Sequence, residues 1–165
     1  MEYISSDTNI WIDFHTIDRI DVPFRLNVKY IMFYEAMRAE IIDPPELIEA
    51  LAELGLQGVK LSTEEFYGAM ELYDRYQKIS RYDAMALSIA KSREIMLLSG
   101  DKFLRSAAEK EGVIVLGSIG LVDKLLSENL ITRKEYHEIL LAWENQVELG
   151  RRLPIEEIRK RLKRG

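Results

Sequence analysis

The 165-residue chain contains no cysteine. Disulfides, zinc–thiolate centres, iron–sulfur clusters and cysteine nucleophiles are thereby excluded, and the composition fits a reducing, cytoplasmic compartment. Histidine is nearly absent as well: His15 and His137 are too far apart to show a metal-ligand spacing. No apolar run approaches the roughly 18–20 residues that span a bilayer. The opening Met1-Glu2-Tyr3-Ile4-Ser5 lacks a basic region and a long apolar stretch, so no secretory signal is expected. A Gly-x-Ser-x-Gly elbow is missing. So is a phosphate-binding loop, because Gly117-Ser-Ile-Gly120 is too short and carries no lysine. Low-complexity stretches and internal repeats are not seen, and only four prolines occur.

What is present is a composition able to build a core, 47% hydrophobic and 31% charged. A chain of this size buries roughly 68–70% of its unfolded surface. The net charge of −5 speaks against a general electrostatic nucleic-acid binder. It is unevenly spread, however. Residues 151–165 hold seven basic side chains against two acidic ones, a net +5, which leaves −10 for the rest. A basic terminal helix can track phosphates, dock on an acidic partner or simply face solvent.

Short apolar runs alternate with helical patterns. Tyr3–Ser6, Val28–Phe33, Gly58–Leu61, Ile95–Leu98 and Val113–Leu116 read as strands. Helices are expected at Ile10–Asp18, Tyr34–Ile42, Pro45–Leu54, from Ser62 to about Lys78, from Ser80 through the apolar run Ala84–Ala90, at Asp101–Lys110 and at Ile119–Asn129. Ser62-x-x-Glu65, Ser80-x-x-Asp83 and Thr132-x-x-Glu135 are capping boxes. On the helix after Ser62 the spacing of Phe66, Met70 and Tyr73 predicts the buried stripe. Non-alternating strands between helices indicate a parallel sheet covered on both faces. Beyond about Asn129 the chain is purely helical, and we divide it into a domain at 1–129 and a helical extension with a basic tail at 130–165. The stripe from Tyr136 to Trp143 predicts a partner-facing helix, the partner being a second copy or an inhibitor. Trp11 and Trp143 read as core or interface residues.

In an open parallel sheet, chemistry sits beyond the carboxyl ends of the strands. Asp7 follows the first strand, and Ser99-Gly100-Asp101 follows the fourth. Glu35 and Glu40 lie on the helix after the second strand, and Asp83 opens the helix leading to the fourth. If strands one and four are neighbours, Asp7 and Asp101 face each other across the crevice, with Asp83 pointing to the same place. Oxygen ligands without His or Cys select Mg²⁺ or Mn²⁺. Such ions clamp the oxygens of a phosphodiester and activate water, so no protein nucleophile is required. Plain structural roles stand beside this: Asp7 and Asp101 as helix caps, Asp83 as a capping-box acid, Glu40 as a solvated surface residue.

At these residues the sequence resembles the PIN-domain nucleases, which include toxin ribonucleases of VapC type. The matching segments are Ile4-Ser-Ser-Asp7-Thr8-Asn9-Ile-Trp-Ile, Glu40 in Tyr34-Glu-Ala-Met-Arg-Ala-Glu40-Ile, Asp83-Ala-Met-Ala-Leu-Ser-Ile-Ala90 and Leu97-Leu-Ser99-Gly100-Asp101-Lys-Phe-Leu-Arg. Gly112-Val-Ile-Val-Leu-Gly117-Ser-Ile-Gly120 fits the last strand and the turn after it. The likeness covers about residues 3–126. It implies an α/β fold of three layers, α/β/α, with a five-stranded parallel sheet of order 3-2-1-4-5. It also implies Mg²⁺- or Mn²⁺-dependent cleavage of RNA, single-stranded first and structured RNA as the other substrate, with Asp7, Glu40, Asp83 and Asp101 as the acidic metal site. Asn9 and Ser99 match polar support positions, and Glu35 competes with Glu40. For the toxin type, an antitoxin partner is implied. The alternative is a catalytically inactive module of the same fold that binds RNA or a protein. Two departures stand out. Phe103 occupies a position where many members carry a further Asp, and the helices after about Asn129 lie outside the usual toxin domain.

Overall fold

A computed structural model describes residues 2–164. Its centre is a five-stranded, all-parallel sheet in the order β3-β2-β1-β4-β5. The strands are β1 (Glu2–Ser6), β2 (Val28–Phe33), β3 (Gln57–Val59), β4 (Met96–Leu98) and β5 (Val115–Leu116). Helices connect them: α1 (Thr8–His15), α2 (Tyr34–Glu40), α3 (Glu46–Leu54), α4 (Thr63–Arg75), α5 (Arg81–Arg93), α6 (Lys102–Lys110) and α7 (Ser118–Ser127). Two more, α8 (Arg133–Glu148) and α9 (Ile155–Lys163), follow the last strand. A 3-10 turn at Val22–Arg25 leads into β2. None of the described helices is long and apolar enough to cross a membrane.

The sheet divides the interior into two cores. On one face, β1, β2 and β4 side chains such as Ile4, Tyr30 and Leu98 meet α1–α3 and α7–α9. On the other, Leu97 meets α4, α5 and α6. Trp11 and Trp143 are both fully buried in the first core. Trp11 stacks on Phe24, and Phe14 meets Trp143 edge-on, each with ring centroids 5.2 Å apart. The α8 stripe is thus spent inside the chain. Ile139, Leu140 and Trp143 pack in the same core as α1, and the Trp143 indole donates to the Asp13 carbonyl at 2.9 Å.

All three capping boxes form: Ser62 with Glu65, Ser80 with Asp83, and Thr132 with Glu135. The face of α4 differs from the expected one by one position. Glu65, Ala69 and Leu72 are buried, Met70 and Tyr73 are only half-buried, and Phe66 is 44% exposed. Close approach to α5 explains the rotation. A Cβ on Gly68 would sit 3.0 Å from the Ser88 hydroxyl, so small residues must face α5. Glu65 can be buried there because Arg93 pairs with both of its oxygens, at 2.8 and 3.1 Å. Other element ends shift slightly. Helix α1 starts at Thr8 rather than Ile10, since Asp7 caps it, and α4 stops at Arg75 rather than Lys78.

Candidate active site

Three helices begin at the carboxyl edge of the sheet, and each presents a carboxylate there. Strand β1 pairs with β4 in the register Ser6↔Leu98, and the ladder runs one step further through Asp7 N–H to the Leu98 carbonyl at 3.1 Å. That register sets Asp7 beside Ser99. The Ser99 hydroxyl donates to Asp7 Oδ2 at 2.6 Å and accepts from the Asp101 N–H at 3.1 Å. One buried serine therefore ties two of the expected acids together.

Each carboxylate also serves a helix. Asp7 Oδ1 accepts from the N–H groups of Asn9 and Ile10 at the start of α1. Asp101 Oδ1 accepts from Phe103 and Leu104 at the start of α6. Asp83 Oδ2 accepts from the Ser80 N–H at the start of α5. The side chains that gather at this edge are thus also the ones that cap its helices. The positive ends of three helices point toward the group, which offsets part of the mutual repulsion. Glu40 closes the ring from the end of α2, its Oε1 accepting from the Thr8 hydroxyl at 2.8 Å. Among the described residues, one oxygen each of Glu40, Asp83 and Asp101 takes no hydrogen bond from the protein.

Asp7, Glu40 and Asp83 line one cavity with Thr8, Phe33 and Tyr82. Its volume is about 10 Å³, room for about one water molecule. Asp101 adjoins it through Ser99 and through its charge, which acts on Asp83. Glu35 is exposed and does not line the cavity; Glu40 does. Asn9 reaches Asp7 through its backbone, and its own side chain faces solvent. Burial pushes the Asp7 carboxyl up to about 7, with the charge of Asp83 adding to the rise against the opposing hydrogen bond from Ser99. Burial also raises Asp83, and the charges of Asp101 and Glu40 act in the same direction.

The donor set suits a hard cation, since it offers carboxylate oxygens alone, several without a protein partner. Among the described residues no three His, Asp or Glu side chains stand close enough to form a ready-made cage. This still fits Mg²⁺, which keeps several waters and typically takes one or two carboxylates together with substrate phosphates. Behind the site lies a group that the sequence pattern did not reveal. Asp13 is 5% exposed, accepts from the Ser118 hydroxyl at 2.7 Å and pairs with Arg151 at 2.9 Å. A Cβ on Gly100 would come within 3.4 Å of its Oδ2, so Asp13 packs against the turn between Ser99 and Asp101. No short-range signal marks it, because its partners lie 105 and 138 residues away. A larger groove of about 290 Å³ between α4 and α5 is lined by Glu64, Glu71, Arg75 and Lys91 and does not touch the carboxylates.

A family model described as "DUF3368: PIN domain" matches residues 3–164. The chain belongs to the PIN-domain family. The match takes in α8 and α9, so the two C-terminal helices lie within the part of this PIN domain that the family model describes. Among solved structures, it is similar to a PilT N-terminus domain protein from the hyperthermophilic archaeon Sulfolobus solfataricus P2. The TM-score is 0.52 at 13% identity, over 75% of this chain and 92% of that one. A likeness at that identity speaks for the fold alone. No curated protein sequence is significantly similar to this PIN domain.

Proposed function

We propose that this PIN domain is a divalent-metal-dependent ribonuclease that hydrolyses phosphodiester bonds of single-stranded RNA. The observation that carries the reading is the convergence of Asp7, Asp83 and Asp101 at three helix starts, with Glu40 beside them and Ser99 joining Asp7 to Asp101. Asp7, Asp83, Asp101 and Glu40 are the residues that would hold Mg²⁺ or Mn²⁺. When bound, the cation supplies positive charge to phosphate oxygens and lowers the pKa of water.

The chain's own groups have separate tasks. Ser99 and the start of α1 hold Asp7 in a single orientation. The first turn of α6 does the same for Asp101. Thr8 fixes one oxygen of Glu40, leaving Oε2 to complete the cation site or position a water. Asp13, held by Ser118, packs against the Gly100 turn from behind.

The test is cleavage of labelled single-stranded RNA with Mn²⁺ or Mg²⁺. Wild type should cleave, and Asp7→Asn and Asp101→Asn should each lose more than about 100-fold, beyond what loss of a supporting residue costs. Equal activity in all three overturns the assignment. RNA binding without cleavage by wild type would favour a binding module. A toxin role rests on the resemblance alone, since the α8 stripe that suggested an inhibitor is covered by the chain's own core.

A further inference from the structure

Next in the chain after Asp101 and Lys102, an aromatic ring faces solvent. Phe103 is 39% exposed in the first turn of α6, and its N–H donates to Asp101 at 2.8 Å. Two ammonium groups flank the ring. Lys102 Nζ lies 5.0 Å from its centroid, and Lys78 Nζ reaches it at 4.8 Å from the turn between α4 and α5. Lys78 stands two residues before Ser80, which caps the helix carrying Asp83. The ring thus belongs to the turn that Asp101 caps, and Lys78 reaches it from just before the helix that carries Asp83.

Apart from the ring, these cations have no charged partner among the described residues. Among the described residues, Lys78 and Lys102 make no ion pair, whereas Arg151, Arg159 and Arg161 of the basic C-terminal segment pair with Asp13, Glu144 and Asp123. In a chain of net charge −5, a spot where two free ammonium groups meet an exposed ring is complementary to one kind of ligand. An unpaired nucleotide has a π-face for the ring and a phosphate on either side for the lysines. A duplex offers no free face, because its bases are already stacked on one another.

We propose that Phe103, with Lys78 and Lys102, forms a stacking platform for one unpaired base of single-stranded RNA next to the carboxylate site. The inference builds on the nuclease reading, but its test does not depend on cleavage. The ring fixes which stretch of RNA lies over the carboxylates, and the lysines hold the flanking phosphates. In the free protein the two ammonium groups lie against the ring, and the stacked base takes their place on it.

The experiment is fluorescence anisotropy with a labelled eight-nucleotide single-stranded RNA in Ca²⁺, with the intactness of the RNA checked on a gel. Blunt duplex RNA is the control, and a thermal melt of each variant confirms folding. Phe103→Ala and Phe103→Leu should both weaken single-strand binding by roughly 5- to 100-fold, the range found for loss of one stacked base. Phe103→Trp should retain it, and duplex binding should not change. The double variant Lys78→Gln/Lys102→Gln should lower the slope of log K against log salt by about 1.4, at roughly 0.7 per phosphate contact. Wild-type affinity in Phe103→Leu, an equal loss on duplex, or no single-strand binding by wild type would overturn the platform. Binding through Phe103 without cleavage in Mn²⁺ would leave the platform standing and remove the nuclease reading. Cleavage with Phe103→Leu binding like wild type would do the reverse.

Discussion

The acids at the carboxyl edge of the sheet each hold a neighbouring group of the protein with a carboxylate oxygen. Asp7 shows this best: Oδ1 caps α1, while Oδ2 takes the Ser99 hydroxyl inside a buried pocket. Its folded pKa of about 7 lies above its ordinary value of 3.8, so ionising it costs stability. The metal-free protein therefore loses stability through Asp7 as pH rises from about 4 to about 7. Asn caps a helix as well as Asp does, so Asp7→Asn keeps the cap and removes the charge. The variant should melt a few degrees higher than wild type at pH 8 without metal, at roughly 2–4 °C per kcal/mol, and the gain should shrink at pH 5. Mg²⁺ or Mn²⁺ should raise the melting temperature of wild type more than that of the variant, since a ligand of the folded state stabilises it. An unchanged or lower metal-free melting temperature in Asp7→Asn at pH 8 would contradict the described burial and crowding. Asp7 was legible because Asp-Thr-Asn closes an apolar run. Asp13, six residues on, was not, because what makes it matter is Ser118 and Arg151 from the far end of the chain.

At the scale of elements, local chemistry predicted starts better than faces. The capping boxes mark three helix starts through a bond pattern complete within four residues. The face of α4 depends instead on how closely α5 approaches, and Gly68 against Ser88 turns the helix so that Ala69 and Leu72 point inward. Helix α8 makes the same point with a larger consequence. Its Tyr136–Trp143 stripe has the pattern of a docking face, and what it docks on is α1 of the same chain. Trp143→Ala should therefore cost about 3–5 kcal/mol of stability in urea unfolding, as expected for a fully buried aromatic. A loss below about 1 kcal/mol would mean that α8 is not part of the core.

Across the whole molecule, two buried or half-buried glutamates clamp elements together through arginine and lysine. Burial pushes Glu111 up, but Lys91, Tyr76 and Arg75 outweigh it and hold the carboxyl at about 2. It joins the end of α6 to α4 and α5. Glu135 is held at about 2 by Arg25 first, with the Thr132 N–H and Arg19 adding, and it joins α8 to the 3-10 turn. Both folded values lie below the ordinary 4.5, so their stabilisation is complete above that pH and is lost as pH falls toward 2. Melting followed from pH 6 to pH 2 should show a falling limb over this range. In Glu111→Gln/Glu135→Gln the limb should be shallower, starting from a lower plateau. A limb of unchanged steepness would show that the two clamps contribute nothing. The basic C-terminal segment is also re-weighted at this scale. Arg151, Arg159 and Arg161 are paired within the chain, while Arg152, Lys160, Lys163 and Arg164 make no ion pair among the described residues. Two of the seven basic side chains, Arg159 and Arg161, thus fasten α9 to α8 and α7.

The sequence by itself determined the strand–helix alternation, the parallel sheet, the three capping-box helix starts, and Asp7 and Asp101 as acids that follow apolar runs. Those depend on spacing within a few residues and on which residue follows an apolar run. Only the tertiary structure decided which groups meet. The order β3-β2-β1-β4-β5 sets Asp7 beside Ser99, and through it Asp101. The fold chose Glu40 over Glu35 at the cavity, turned the Trp143 stripe inward and brought Lys78 to Phe103. These are contacts between residues far apart in the chain, and no local pattern encodes their meeting, because the packing of the whole core fixes it.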